Sequence, residues 1–188
     1  MKHIAIFASG NGSNFEAIVT AVKTGELNAN IALLLCDKPG ARVISRAEAH
    51  GIPVFAFSPK SYPSKEAYET EIRTLLQERN VDFIILAGYM RLIGHTLLDA
   101  YLNRIINIHP SLLPRFPGIN AIEQAYESGT RKTGVTVHYV DEGMDTGPII
   151  TQCTVAIEKA DTLESLKQRI HQVEHMLYIQ TLRDLFQD

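Results

Sequence analysis

The sequence predicts an α/β fold: a mostly parallel sheet with helices on both faces and an antiparallel strand pair near the C-terminus. Two observations carry that expectation. Short, continuously apolar runs of strand length alternate with segments of helical periodicity through the first half of the chain. Strands of that kind are buried on both faces, as in parallel sheets with helical crossovers. Beyond Gly134 the pattern changes to apolar–polar alternation around a glycine-rich loop, which reads as two antiparallel strands.

The elements follow in order. Ile4–Ala8 reads as the first strand and ends in a Gly/Asn turn. Phe15, Ile18, Val19 and Val22 recur at helical spacing until Gly25 stops the helix. Ile31–Cys36 is the second strand, residues 41–50 form a helix before Pro53, and Val54–Phe57 is the third strand. Tyr68, Ile72, Leu75 and Leu76 mark the next amphipathic helix, and Phe83–Ala87 and Arg104–Ile108 are strands four and five. Val135, Val137 and Tyr139 alternate with Thr136 and His138, and Ile149–Ile157 is the second extended stretch of the C-terminal pair. A long helix starts at Thr162, with Leu163, Leu166, Ile170, Val173 and Leu177 as its buried stripe.

Length and composition fit one domain of 188 residues with no repeat or linker. The net charge of -3 argues against a broad basic face for nucleic acid. Cys36 and Cys153 give no disulfide framework, so reduced thiols in a cytoplasmic protein are expected. The apolar run at residues 4–8 is too short for a signal peptide or a membrane span.

The densest chemistry lies in Asn107-Ile108-His109-Pro110-Ser111-Leu112-Leu113-Pro114. Two residues apart on a strand, Asn107 and His109 project from the same side. The prolines and glycine that follow end the strand, which puts the pair at a loop mouth, where open α/β sheets bind ligands. Asn107 is a neutral donor suited to an oxyanion, and Asp145 in the later glycine-rich loop could orient His109 and favour its charged form. The bland alternatives are a hydrogen-bonded structural histidine and a solvated turn aspartate. No Gly-x-Ser-x-Gly or activated-cysteine pattern supports covalent catalysis.

Two further motifs need weighing. In Ser9-Gly10-Asn11-Gly12-Ser13-Asn14 the glycines admit close approach of an anion to a helix N-terminus, and Ser13 or Asn14 could cap that helix. Phe15 replaces the third glycine of a dinucleotide fingerprint, so one phosphate fits better than a pyrophosphate. His171-Gln172-Val173-Glu174-His175 has the spacing of one class of zinc peptidase. The residues after His175 include aspartates but no further histidine, cysteine or glutamate, so a polar helix face is preferred and no metal is expected.

With these residues in hand a family resemblance emerges. Gly10 to Asn14, Ala87-Gly88-Tyr89-Met90-Arg91, Asn107 to Gly118, Asp141 to Pro148 and Gln172 to His175 resemble, in order, the folate-dependent formyltransferases. The phosphate-type loop resembles in particular the glycinamide ribonucleotide formyltransferases. The resemblance implies a single formyltransferase domain of Rossmann-like topology with its active site at the strand ends, residues 1–100 forming a phosphate-binding half and residues 101–188 a catalytic and folate-binding half. It implies Asn107, His109 and Asp145 as the catalytic trio, and Gly12, Ser13, Asn14 and Glu174 as contacts to glycinamide ribonucleotide. The pocket for 10-formyltetrahydrofolate, a co-substrate, would comprise Met90, Arg91, Leu92 and Ile93 with Asp141, Glu142, Gly143, Met144, Asp145 and Asn107. Lys65 stands where many relatives carry arginine, keeping the charge for the folate's glutamate tail but losing the planar fork. Small-molecule substrates, no nucleic acid, no membrane, and a monomer or homodimer are the partners it implies. Rival readings are a formyltetrahydrofolate hydrolase with its N-terminal regulatory domain, methionyl-tRNA formyltransferase with its extra C-terminal domain, an inactive binding module, and a dinucleotide oxidoreductase. The first two need segments not expected here, the third loss of the trio, and the fourth a complete glycine fingerprint.

Overall fold

The apolar runs pair into one seven-stranded sheet in the computed structural model, which describes residues 1–187. The strands are β1 (Lys2–Ala8), β2 (Ala29–Cys36), β3 (Val54–Ala56), β4 (Phe83–Leu86), β5 (Ile105–His109), β6 (Lys132–Tyr139) and β7 (Ile149–Ala156). They lie in the order β3-β2-β1-β4-β5-β6-β7. The first five are mutually parallel, whereas β5–β6 and β6–β7 are antiparallel pairs. Helices α1 (Ser13–Lys23), α2 (Arg42–Ala49), α3 (Lys65–Glu78), α4 (His95–Ala100), α5 (Ala121–Glu127) and α6 (Leu163–Leu185) cover the sheet. No helix among the described residues is long and apolar enough to cross a membrane.

Side-chain alternation along the strands divides the core in two. Ile4 and Ile6 of β1 pack with Phe15 and Ile18 of α1 and Leu166 and Ile170 of α6. Ala5 and Phe7 of the same strand pack with Tyr68, Ile72 and Leu76 of α3 and Leu97 of α4. Burial of each large side chain contributes about 1.5–3 kcal/mol, so both faces of β1 help hold the sheet. The chain leaves β1 to one side through β2 and β3 and to the other through β4 and β5. That reversal opens a crevice at the strand ends between β1 and β4.

The differences from the sequence expectation have local causes. Strand β5 is shifted by one residue and includes His109. Helices α4 and α5 and the 3-10 turn Pro59–Ser61 were not expected from periodicity. They span at most two turns, and α4 buries only Leu97. Neither Ser13 nor Asn14 caps α1. Gly12 occupies that position at φ 84 with no side-chain cap bond. A Cβ there would lie 2.6 Å from Val43 Cγ2, so α2 packs too closely for any other residue. The buried stripe of α6 also differs: Leu163 and Val173 are only half-buried, while Glu174 and Tyr178 are buried. The Tyr178 hydroxyl donates to Leu86 O at 2.7 Å and lies 3.1 Å from Ile106 O, tying α6 to β4 and β5.

Candidate active site

A cavity of about 700 Å³ occupies the crevice and extends over β5 and β6. Ser13 and Asn14 border it from the start of α1, Met90, Arg91, Leu92 and Ile93 from the segment after β4, and Glu174 from α6. Asn107, His109, Asp141, Gly143, Met144 and Asp145 complete that part of the wall drawn from the expected residues. Gly12, Lys65 and Glu142 do not border it. Gly12 lies beneath the α1 N-terminus, Lys65 Nζ donates to Leu92 O at 2.7 Å, and the Glu142 carboxylate lies 4.0 Å from His95 on the exposed surface.

Strand geometry fixes the trio. Asn107 and His109 share a face of β5, and the antiparallel register sets His138 opposite Asn107 and Thr136 opposite His109. His109 Nε2 lies 2.8 Å from Phe116 O. A carbonyl only accepts, so that nitrogen carries a proton. The other ring nitrogen, Nδ1, faces Asp145 Oδ2 at 3.5 Å. His109 is thus held between the 110–118 segment and the 141–148 loop, with both nitrogens engaged.

His138 was missed from sequence. Its Nδ1 donates to Tyr139 O at 2.9 Å, and its Nε2 lies 3.2 Å from Asn107 Nδ2. Burial pushes the His138 pKa below its ordinary value, although Tyr139 and Asp145 act in the opposite sense. The ring is therefore neutral at neutral pH, and Nε2 accepts from the Asn107 amide. That bond fixes which way the Asn107 carboxamide points. The only signal in sequence was the alternation of residues 135–139, which says nothing about register. A register irregularity at Val137/His138 in the β6–β7 pairing marks the same point.

Two loops are stapled together over these strands. Gly118 N donates to Asp145 Oδ2 at 2.8 Å. Asp141 Oδ1 accepts from Gly143 N at 3.0 Å and from Thr146 Oγ1 at 2.6 Å, which closes the 141–148 loop on itself. Gly147 has no room for a side chain, since a Cβ would overlap the Tyr139 carbonyl oxygen. On the other side, Thr136 Oγ1 donates to Ser111 O at 2.7 Å and accepts from Leu113 N at 3.1 Å. Gln152 Nε2 donates to Leu113 O at 2.9 Å. Backbone groups of the irregular Ser-Leu-Leu-Pro segment are thereby satisfied by side chains of β6 and β7.

The end of the cavity at the α1 N-terminus is held from beneath. Arg46 Nε donates to Asn11 O and Nη2 to Asn11 Oδ1, both at 2.8 Å, and Val43 N donates to Gly10 O at 3.0 Å. Asn14 Oδ1 is buried without a partner at the cavity. Buried Asp37 receives Ser9 Oγ at 2.5 Å and Arg91 Nε at 2.8 Å, and Ser9 Oγ accepts from Met90 N at 2.9 Å. This relay locks the ends of β1, β2 and β4 together. An aspartate closing an apolar strand, with an arginine after another, was the available signal, because a buried charge needs a partner.

Helix α6 presents Lys167, His171 and Glu174 to the cavity. Lys167 pairs with Glu123 at 2.7 Å, and His171 Nδ1 lies 2.6 Å from Glu174 Oε2. That hydrogen bond raises the His171 pKa despite partial burial. His175 Nε2 is buried and unpartnered, and burial lowers its pKa. No group of three or more His, Cys, Asp or Glu among the described residues is placed to hold a metal ion.

Comparison with known proteins agrees with this architecture. Residues 2–182 match the formyl transferase family. The chain is 60% identical to phosphoribosylglycinamide formyltransferase of Bacillus subtilis (strain 168), covering 98% of this chain and 95% of that protein. It is 43% identical to the trifunctional purine biosynthetic protein adenosine-3 of Drosophila pseudoobscura pseudoobscura, over 96% of this chain but 13% of that much longer protein. The crystal structure of phosphoribosylglycinamide formyltransferase from Bacillus halodurans superposes with a TM-score of 0.96 at 59% identity, covering 100% of this chain and 96% of that one. The chain belongs to the formyl transferase family.

Proposed function

We propose that this enzyme transfers the formyl group of 10-formyltetrahydrofolate to the amine of glycinamide ribonucleotide, giving N-formylglycinamide ribonucleotide and tetrahydrofolate in purine biosynthesis. The observation that carries this reading is one cavity bordered both by Ser13 and Asn14 at a helix N-terminus and by Asn107, His109, Asp145 and Glu174. A helix N-terminus favours a phosphate, and a carboxylate bordering the same cavity suits the primary amine. In this reading Gly12, Ser13 and Asn14 hold the phosphate and Glu174 the reactive end of the ribonucleotide. The exposed apolar residues Met90, Leu92 and Met144, with the 141–145 backbone, hold the folate. Lys65 approaches the folate's glutamate tail from outside the cavity wall. Residues 1–100 then act as the phosphate-binding half and residues 101–188 as the catalytic and folate-binding half of one domain.

The chemistry follows from the geometry. The free amine attacks the formyl carbon, and the carbonyl oxygen becomes an oxyanion. Asn107, aimed by His138, donates one amide hydrogen to it. Protonated His109 donates the other bond once its ring gives up the Phe116 carbonyl, while the Asp145 carboxylate stabilises the imidazolium. The attacking nitrogen loses a proton, the folate nitrogen gains one, and the carbon–nitrogen bond to folate breaks. No metal is needed for these steps. We take the enzyme to act in the cytoplasm as a monomer or homodimer on small-molecule substrates, with Cys36 and Cys153 as free thiols.

Folate absorbance with 10-formyltetrahydrofolate, with and without glycinamide ribonucleotide, tests the assignment. Release of deformylated folate only with the ribonucleotide is the expected result. Release without it would make the chain a hydrolase, and no release in either case would refute the acceptor.

A further inference from the structure

We propose that Glu69 is a positioning residue for the folate side of the cavity, acting through Gly94 on the Met90–Ile93 wall; this rests on the folate placement above. Lys65 and Glu69 are four residues apart on α3 and so share a helix face. Lys65 Nζ donates to Leu92 O at 2.7 Å, and Glu69 Oε2 accepts from Gly94 N at 2.9 Å. The two residues grip the backbone on either side of Ile93. The near end of the wall is held by Arg91 Nε on Asp37 and by Met90 N on Ser9 Oγ, whereas toward its far end Leu92 is 46% exposed and Ile93 is the buried anchor.

Glu69 is costly where it stands. It is 2% exposed, its Oε1 has no partner, and burial pushes its pKa up. A buried carboxylate with an orphan oxygen is poor packing material, and an apolar residue of similar volume would stabilise the core better. The fit around it is nevertheless close. A Cβ on Gly94 would strike Glu69 Oε1 and lie 3.1 Å from Lys65 Cδ. Glycine at position 94 and the carboxylate at position 69 are therefore matched to each other. What the pair supplies is a fixed backbone height for a wall that must meet a flat, rigid ring. Small displacements of such supports degrade binding well before they unfold a protein.

Steady-state kinetics of the whole enzyme test this with Glu69→Ala, Glu69→Gln and Leu92→Ala, each checked by thermal melting. Glu69→Ala is expected to raise KM for 10-formyltetrahydrofolate roughly tenfold while kcat and the ribonucleotide KM stay near wild type. Glu69→Gln keeps an acceptor for Gly94 N and is expected to recover most of the loss. Leu92→Ala, a change in the wall itself, is expected to weaken folate as well. An unchanged folate KM in Glu69→Ala, with Leu92→Ala impaired, overturns the proposal and leaves the folate placement standing. Unchanged folate KM in both overturns the placement and the proposal together. If Glu69→Ala does not fold, Lys65→Met is titrated with tetrahydropteroate, which lacks the glutamate tail. Weakened binding supports the clamp, and wild-type binding overturns it.

Discussion

Replacing Asp145 by Asn isolates the charge on which the proposed role of His109 depends. The substitution is close to isosteric, and an amide oxygen can still accept from Gly118 N. Asp145 sits in the left-handed region at φ 56, which asparagine tolerates better than most residues, so the loop keeps its shape. The change is therefore one of electrostatics. His109 Nδ1 and Asp145 Oδ2 are 3.5 Å apart, with side chains only 7% and 12% exposed. A unit pair at that separation is worth about 5 kcal/mol at an effective dielectric constant of about 20, and about 1 kcal/mol if fully solvated. The low exposure favours the upper part of that range, less what the amide dipole and residual water return.

The expected outcome is a fall in kcat of about 10²–10³-fold, equivalent to about 2.7–4 kcal/mol of barrier. KM for either substrate should change little, because the charge acts on the imidazolium of the transition state and not on ground-state binding. Removing the ring altogether, in His109→Ala, sets the reference at roughly 10²–10⁴-fold for loss of an acid–base group. Turnover is read from folate absorbance at saturating substrates, and thermal melting confirms that the variant is folded. A folded Asp145→Asn enzyme within threefold of wild-type turnover would refute the electrostatic argument.

Three other perturbations probe the frame around the site. Tyr178→Phe removes the hydroxyl that holds Leu86 O and Ile106 O, and urea denaturation should show a loss of about 1–3 kcal/mol, since buried carbonyls lose their donor. Gly147→Ala drives a methyl group into the Tyr139 carbonyl, so a loss of about 1–3 kcal/mol by the same assay and a marked fall in turnover are expected. Glu69→Gln tests the pH dependence of stability. Burial raises the folded pKa of Glu69 above its ordinary value of 4.5, so the folded state binds more protons than the unfolded state between the two values. Its contribution is fully present below 4.5 and is lost as pH rises through the folded pKa. The Gln variant should therefore match wild type in acid and gain on it toward neutral pH, and melting curves across that range that stay parallel would contradict the linkage.

What the sequence made legible follows from what repeats locally. The apolar runs fixed the strands because a strand buried on both faces must be continuous in hydrophobicity, and β1, β2 and β4 all appear where expected, within two residues. The Asn107–His109 pairing was legible because strand alternation is a property of one segment. His138 was not, because its role comes from register across two strands, 31 residues apart in sequence. The same holds for Asp37 with Arg91, 54 residues apart, and for Lys167 with Glu123. Neither partner in such a pair is unusual alone. Helix α5 escaped because its entry, Asn120 at φ 55, makes no side-chain cap bond and its seven residues are too few for a period.

The change from parallel to antiparallel pairing at β5 is what brings Asn107, His109, His138 and Asp145 together. In a parallel neighbour, the next strand would arrive by a helical crossover and deliver another loop at the same end of the sheet. Antiparallel β6 instead lies with His138 directly opposite Asn107, so a neutral imidazole can aim the carboxamide from within the sheet. The loop after β6 then turns back across that face and brings Asp145 to His109, fastened by Gly118 N. Parallel β1 and α1 supply the proposed phosphate end, which needs only a helix N-terminus and a glycine turn. Formyl transfer needs both kinds of order: a fixed anchor for a charged substrate and a side-chain constellation spread over neighbouring strands. A double-mutant cycle separates the two. Asn107→Ala and His138→Ala should be strongly non-additive in kcat, because they remove one aimed donor between them. Ser13→Ala should add to either almost independently and act on the ribonucleotide KM. Additivity between Asn107 and His138 would show that the cross-strand hydrogen bond does not aim the amide.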